Sequence, residues 1–329
     1  MKAIVYARNG LPDVLQIQEV EKPAPKDDEV LVKVHAASVN AYNWRQLNAN
    51  PFLVRLIGRG LLKHEHTKLD ADIAGRVEAV GGNVKRLKPG DDVFGDSSAI
   101  GNNGFAEYVC ASENTLALKP VNLSFEEAAA VPMAAIAALQ GLRDIGRIQP
   151  GQKVLINGAS GGVGTFAVQI AKYFGSDVTA VFGTGNMEMV RSLGADHVID
   201  YTKEDFTKNS QRYDLILAVS GYHPISAYKR ALSPNGTYVM TGGSLAQIFQ
   251  AMLLGSWMFR TGGKKMGRVS AKPNQKDLVF MRELLEAGKV VPVIDRRYPL
   301  SETAEAFRYL GEGHARGKIV ITLENNDKT

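Results

Sequence analysis

One short run carries the clearest chemistry in this chain, KVLINGASGGVG from Lys153 to Gly164. Gly158, Ser160, Gly161, Gly162, Val163 and Gly164 follow an apolar strand and open a helix, and a second apolar stretch, VTAVFG, begins at Val178. Glycine permits a tight turn, leaves room for phosphate oxygens and lets a helix approach its strand closely. A helix N-terminus presents unpaired N–H groups and the positive end of its dipole to a pyrophosphate. A glycine run alone is a weak signal, but its placement between strand and helix in a βαβ unit predicts a dinucleotide site.

The end of the second strand bears on which dinucleotide is bound. NAD sites usually carry an acidic residue there, bonded to the ribose 2′-hydroxyl. Here the stretch reads Phe182, Gly183, Thr184, Gly185, Asn186, with nothing acidic in it. Thr184 and Asn186 can donate hydrogen bonds to a 2′-phosphate, so the expected cofactor is NADPH rather than NADH.

These residues need a scaffold, and 329 residues with 45% apolar and 22% charged content suggest two domains. The first part is β-rich. Strands are expected at Lys2 to Tyr6, Leu15 to Val20, Glu29 to Val39, Asp72 to Val80, Asp92 to Gly95 and Gly104 to Ala111, with proline and glycine at the turns. Phe52 to Leu62 is an apolar excursion, either a short helix or a pocket wall. After Pro120 the pattern alternates between helix and strand, as in a parallel α/β domain. Helices are expected from Gly162 to Phe174 and Asn186 to Leu193, and strands at Lys153 to Asn157, Asp177 to Phe182, His197 to Asp200 and Tyr213 to Val219. Near the C-terminus come a helix at Gln275 to Ala287, a strand at Val290 to Ile294, a helix at Ser301 to Leu310 and a final strand at Lys318 to Leu323.

Composition narrows the function. The net charge of +5 is spread along the chain without a basic tail, which disfavours nucleic acid as a partner. Cys110 is the single cysteine, so neither an intrachain disulfide nor a multi-cysteine zinc site can form. MKAIVYARNG lacks an apolar signal core, and Leu245 to Phe259 is broken by Gln247, Gln250 and Ser256, so neither export nor a membrane span is expected. The expected location is cytoplasmic. His64 and His66 in KHEHTK could ligate a metal, but their lysine neighbours suggest an exposed loop. His35 reads as structural.

Several stretches together resemble the medium-chain dehydrogenase/reductase superfamily, in its zinc-independent quinone oxidoreductase branch. They are MKAIVY, SVNAYNWR at Ser38 to Arg45, DIAGRVEAVG at Asp72 to Gly81, KPGDDVFG at Lys88 to Gly95, GGVGTFAVQIAK at Gly161 to Lys172, LGADHVIDY at Leu193 to Tyr201 and GHARGKIVI at Gly313 to Ile321. The resemblance implies an α/β protein with a GroES-like β-rich catalytic domain and a doubly wound Rossmann cofactor domain. The expected division is 1–122, 123–265 and a C-terminal return, 266–329, that completes the first domain. It also implies a homodimer joined through the cofactor domains.

Zinc-dependent relatives place a cysteine ligand near the position of Asn40 and a histidine where this chain reads LDADIAG, with Asp70 and Asp72. Neither ligand is present, so no metal is expected. Without a metal to polarise an alcohol, an already electron-poor acceptor fits best: a quinone or an α,β-unsaturated carbonyl. Simpler aldehydes and ketones form an alternative substrate class, and a non-enzymatic NADPH-binding sensor is a second alternative. Asn40, Tyr42 and Asn43, in the loop replacing the metal-binding segment, are the candidate polar groups facing the acceptor. The resemblance adds Tyr201, Arg316 and Lys318 near the adenosine 2′-phosphate. Phe52, Leu53, Leu56 and Ile57, and likewise Leu253, Trp257, Met258 and Phe259, are candidate pocket walls.

Overall fold

The computed structural model of this chain describes residues 1–48, 69–97, 103–220, 223–243, 250 and 263–323. The stretches Phe52 to Leu62 and Leu253 to Phe259, with His64 and His66, lie outside the described residues. The chain divides into two compact units, one of residues 1–133, 273–286 and 292–329, the other of 134–272 and 287–291. The boundaries expected at 122 and 265 thus fall at 133 and 272. The first shift has a local cause: helix α2 (Phe125–Ala129), capped by Ser124 and Glu127, packs on the sheet of the first unit.

In the first unit, β1 (Lys2–Val5) pairs with β2 (Gln16–Glu19). The main sheet orders β14 (Ile294–Pro299), β15 (Lys318–Thr322), β3 (Glu29–Val39), β4 (Asp72–Val80), β5 (Asp92–Asp96) and β7 (Leu116–Leu118), and β6 (Tyr108–Ser112) also pairs with β3. The strand expected at Val290 to Ile294 is instead β14, further along at Ile294–Pro299. Gly288, at φ 63°, lies just past the end of helix α7 (Gln275–Glu286), and β14 begins two residues beyond Pro292. Val30, Val32, Ile73, Val93, Phe105, Phe307 and Ile321 pack in one core. His35 stacks on Phe125 at 4.2 Å.

The second unit is a parallel sheet. Its order is β10 (His197–Asp200), β9 (Asp177–Phe182), β8 (Lys153–Asn157), β11 (Tyr213–Ala218), β12 (Leu232–Met240), β13 (Lys265–Arg268). In chain order that is 3-2-1-4-5-6, the doubly wound dinucleotide-binding arrangement. The order reverses between β8 and β11, and a ligand crevice is expected where those strands end.

Candidate functional site

The glycine run sits at that reversal. It links β8 to a helix of 12 residues, α4 (Gly162–Tyr173). Gly158 and Ala159 donate their N–H groups to Val181 O at 3.0 and 2.9 Å, tying the turn to β9. Gly158 has φ 89°, and a Cβ there would meet Ser220 Cβ at 2.8 Å. A Cβ on Gly164 would lie 2.0 Å from Gly158 O. Glycine is therefore required at both positions by backbone and close packing. A Cβ on Gly161 would meet only Gly158 O, at 3.7 Å, so open space lies beside it. The first bond into the helix runs from Thr165 N to Gly161 O at 2.9 Å. The amides of Gly162, Val163 and Gly164 precede it, without an acceptor within the helix, and can donate outward. The turn, the open space and these donors fit a dinucleotide pyrophosphate.

At the ends of β9 and β10 the structure corrects the expectation of a site free of acid. Asp200, 16 positions beyond Thr184, accepts a hydrogen bond from the Thr184 hydroxyl at 2.9 Å. Asp200 also accepts from Thr202 N at 3.0 Å and Thr202 Oγ1 at 2.7 Å, and the two threonine oxygens lie 2.8 Å apart. Hydrogen bonds from Thr202 hold the Asp200 carboxyl below the usual aspartate range. Two hydroxyl protons serve three contacts, so neither threonine is left as a donor for a phosphate. Asn186 donates to Gly183 O at 3.1 Å. Tyr201 is 60% exposed, and its ring lies against Gly183.

In the first unit, Asn40, Tyr42 and Asn43 do not lie in a loop. Asn40 is the N-cap of helix α1 (Ala41–Leu47), which carries the other two. The buried Asn43 accepts from Asn40 N at 3.0 Å and donates to Asp70 O at 2.7 Å, so its amide serves the local backbone. Tyr42 is 60% exposed. Asn40 joins a buried cluster that sequence reasoning missed. Its Nδ2 donates to Asp72 Oδ2 at 3.0 Å, and its Oδ1 accepts from Lys318 Nζ at 2.5 Å. Lys318 also pairs with Asp72 at 3.2 Å, and the two side chains are 3% and 0% exposed. Asp72 further accepts from Ser38 Oγ at 3.1 Å and from Met133 N at 3.0 Å.

Strand register builds this cluster. Ser38 stands opposite Asp72, Asp72 opposite Asp96, and Ile319 opposite Val39, which places Lys318 beside Asn40. Burial pulls the Lys318 ammonium below the ordinary lysine range, and Asp72 and Asp96 push it back up. Lys318 is therefore withdrawn from the cofactor-binding set, because a buried, paired ammonium is not presented to a phosphate. Arg316 is exposed, and its backbone N–H donates to Asp295 at 2.8 Å.

Comparison with known proteins adds a family to this geometry. The family described as Zinc-binding dehydrogenase matches residues 193–321, and the Alcohol dehydrogenase GroES-like domain matches residues 26–121. The chain is 37% identical to the 2-methylene-furan-3-one reductase of Solanum lycopersicum, over 98% of this chain and 79% of that protein. It is 34% identical to the NADPH-dependent alkenal/one oxidoreductase, chloroplastic, of Arabidopsis thaliana, again over 98% and 79%. The quinone oxidoreductase structure from Coxiella burnetii superposes with a TM-score of 0.85 at 29% identity, over 98% of this chain and 99% of that one. Other relatives carry chloroplastic or mitochondrial names, and this overturns the expectation of a cytoplasmic protein.

Zinc in the first family's description calls for a test of fit. In the stretches where the resemblance puts metal ligands, this chain has Asn40, whose carboxamide is engaged by Asp72 and Lys318, and LDADIAG, whose Asp72 is paired with the Lys318 ammonium. A carboxylate already neutralised by an ammonium, and an amide engaged on both ends, are poor ligands for a metal ion. Among the described residues, no group of three or more His, Cys, Asp or Glu could hold a metal ion. With its glycine turn at the sheet reversal and these matches along almost its whole length, the chain belongs to the medium-chain dehydrogenase/reductase superfamily, in its zinc-independent quinone-oxidoreductase-like branch.

Proposed function

We propose that this protein is an NADPH-dependent oxidoreductase that transfers hydride to a quinone or an α,β-unsaturated carbonyl. The observation carrying this reading is the Gly158–Gly164 turn at the reversal of a 3-2-1-4-5-6 parallel sheet. It is supported by relatives named 2-methylene-furan-3-one reductase and NADPH-dependent alkenal/one oxidoreductase. When bound, the reduced nicotinamide supplies the hydride. The chain's part is to bind, align and stabilise charge. The Gly162, Val163 and Gly164 amides hold the pyrophosphate, and Ser160 lines the same turn. Gly183, Thr184, Asn186 and Tyr201 form the adenosine side. Asp200 keeps the preference for NADPH over NADH small.

Negative charge develops on the acceptor's oxygen as hydride arrives at carbon. Asn40, through its remaining Nδ2–H, and Tyr42, through its hydroxyl, are the donors in this reading. Asn43 is set aside, because its amide is engaged by backbone. Solvent supplies the proton that completes the reduction. A homodimer through the second unit belongs to the same reading, and light scattering on a sizing column tests it.

The test of activity is anaerobic absorbance decay at 340 nm with NADPH or NADH and a panel of quinones, enones and simple aldehydes. Acceptor-dependent decay with quinones or enones is expected. Decay with aldehydes alone would move the protein to the carbonyl reductases. NADPH binding without turnover across the panel would make it a sensor.

A further inference from the structure

Asn40 is the one candidate donor whose side chain is held on both ends by charged groups. Lys318 can only donate a hydrogen bond, and an ionised Asp72 can only accept. The carboxamide therefore has one allowed orientation, with Oδ1 toward Lys318 Nζ at 2.5 Å and Nδ2 toward Asp72 Oδ2 at 3.0 Å. A carboxamide in a neutral pocket has two nearly isosteric orientations, and only one of them offers N–H to a given point. The other turns an acceptor oxygen toward the same point, which repels an oxygen gaining negative charge. We propose that the Lys318–Asp72 pair is a positioning device that locks the Asn40 carboxamide as a hydrogen-bond donor for the hydride acceptor. This rests on the reading of Asn40 as a donor.

The surroundings make the lock rigid. Asp72 cannot swing away, because Ser38 Oγ and Met133 N hold its two oxygens at 3.1 and 3.0 Å. The Asn40 backbone is fixed by its N–H bond to Asn43 Oδ1 at 3.0 Å. Lys318 sits at the head of β15, one residue before the pairing of Ile319 with Val39. With one Nδ2–H given to Asp72 and Oδ1 accepting from Lys318, the Asn40 amide keeps one further N–H to donate. A cation donating to Oδ1 draws electron density from the amide nitrogen and strengthens the remaining N–H as a donor. The stretches around Asn40 and LDADIAG, by the resemblance above, carry metal ligands in zinc-dependent relatives. Here an ammonium supplies the local positive charge, acting through an amide rather than by direct coordination.

Steady-state kinetics with NADPH and an α,β-unsaturated ketone test the proposal, with kcat expressed per NADPH-binding site. The variants are N40A, K318M/D72N and the triple combination. N40A is expected to lower kcat about 100-fold, the lower end for loss of an oxyanion donor. K318M/D72N, which removes both charges together, is expected to lower kcat about 10-fold with the KM for NADPH within about two-fold of wild type. The triple variant is expected to match N40A, because residues acting through one group are not additive. A K318M/D72N protein with wild-type kcat beside an impaired N40A would overturn the positioning role alone. A triple variant showing the product of the two losses would overturn it too. Wild-type kcat in N40A would instead remove Asn40 as donor, and the proposal with it. Should K318M/D72N not fold, K318R keeps the charge but not the point geometry of an ammonium. A kcat reduced about five-fold at unchanged NADPH affinity supports the lock, and wild-type kcat overturns it.

Discussion

Asp72 and Asp200 each sit at the end of a strand and gather hydrogen bonds from hydroxyl and N–H donors, yet the two clusters differ in what surrounds them. Asp72 is fully buried and faces a buried ammonium. Asp200 lies at the surface between two exposed threonines. In the dry cluster each charge depends on the other, because an ion removed from water must be paired and hydrogen-bonded. In the wet cluster water solvates the carboxylate, and the hydrogen bonds decide only which way two hydroxyl protons point. A buried cluster of this kind sets structure and orientation, whereas an exposed one tunes what the surface prefers to bind.

The largest expected effect breaks the dry cluster by removing one partner. K318M leaves the Asp72 charge buried without its cation and is expected to destabilise the protein by about 3–5 kcal/mol. K318M/D72N removes both charges while keeping an acceptor for Met133 N, so it is expected to lose less than half of that. Urea denaturation of the two variants side by side measures the difference. Equal losses would mean that the pair is solvated after all and that the contrast between the clusters is false.

The second prediction concerns the wet cluster, and it acts on choice of cofactor more than on stability. The carboxylate consumes the hydroxyl protons of Thr184 and Thr202, and in the proposed function it adds negative charge on the adenosine side. D200N removes that charge and introduces an amide donor. The ratio of kcat/KM for NADPH over NADH is expected to rise about ten-fold, a difference of about 1.4 kcal/mol. Stability is expected to change by no more than about 0.5 kcal/mol, as for other surface substitutions. An unchanged or lower ratio would show that Asp200 does not oppose the phosphate.

The two clusters also mark how far the sequence could be read. The glycine turn was legible because its geometry is local: strand, turn and helix adjoin, and backbone constraints fall on Gly158 and Gly164 themselves. The parallel order of the second unit followed from the same alternation of elements. Asp200 escaped notice because it reaches Thr184 from the neighbouring strand, and an acid was sought only at the end of β9. Lys318 and Asp72 are 246 positions apart and meet only through the pairing of β15, β3 and β4. No periodicity within either strand reports which strand lies beside it. β14 was misplaced because IDRRYP carries Asp295, Arg296 and Arg297 in succession, which hides the alternation of an edge strand. The helical start at Asn40 was readable, since Asn43 follows at the capping-box spacing, but the resemblance drew attention to the missing metal ligand instead.

Asp70 falls between the two extremes and sharpens the comparison by the smallest effect. It is half-buried, unlike the fully buried Asp72, and unlike Asp200 it has an oxygen, Oδ1, without a hydrogen-bond partner among the described residues. Burial pushes its carboxyl up to about 6. The sign follows from proton counts. Between the ordinary aspartate value and about 6, the folded chain holds this proton and the unfolded chain has lost it, so stability falls as pH rises through that window. Above it the folded protein carries a poorly solvated charge. A shift of this size in a dry site would be worth roughly 3 kcal/mol, but partial solvent access reduces the expectation to about 1 kcal/mol. D70N should therefore equal wild type in stability near pH 4 and exceed it by about 1 kcal/mol near pH 8. Urea midpoints measured across that range check the divergence. Parallel curves would mean that water reaches Asp70 as freely as it reaches Asp200.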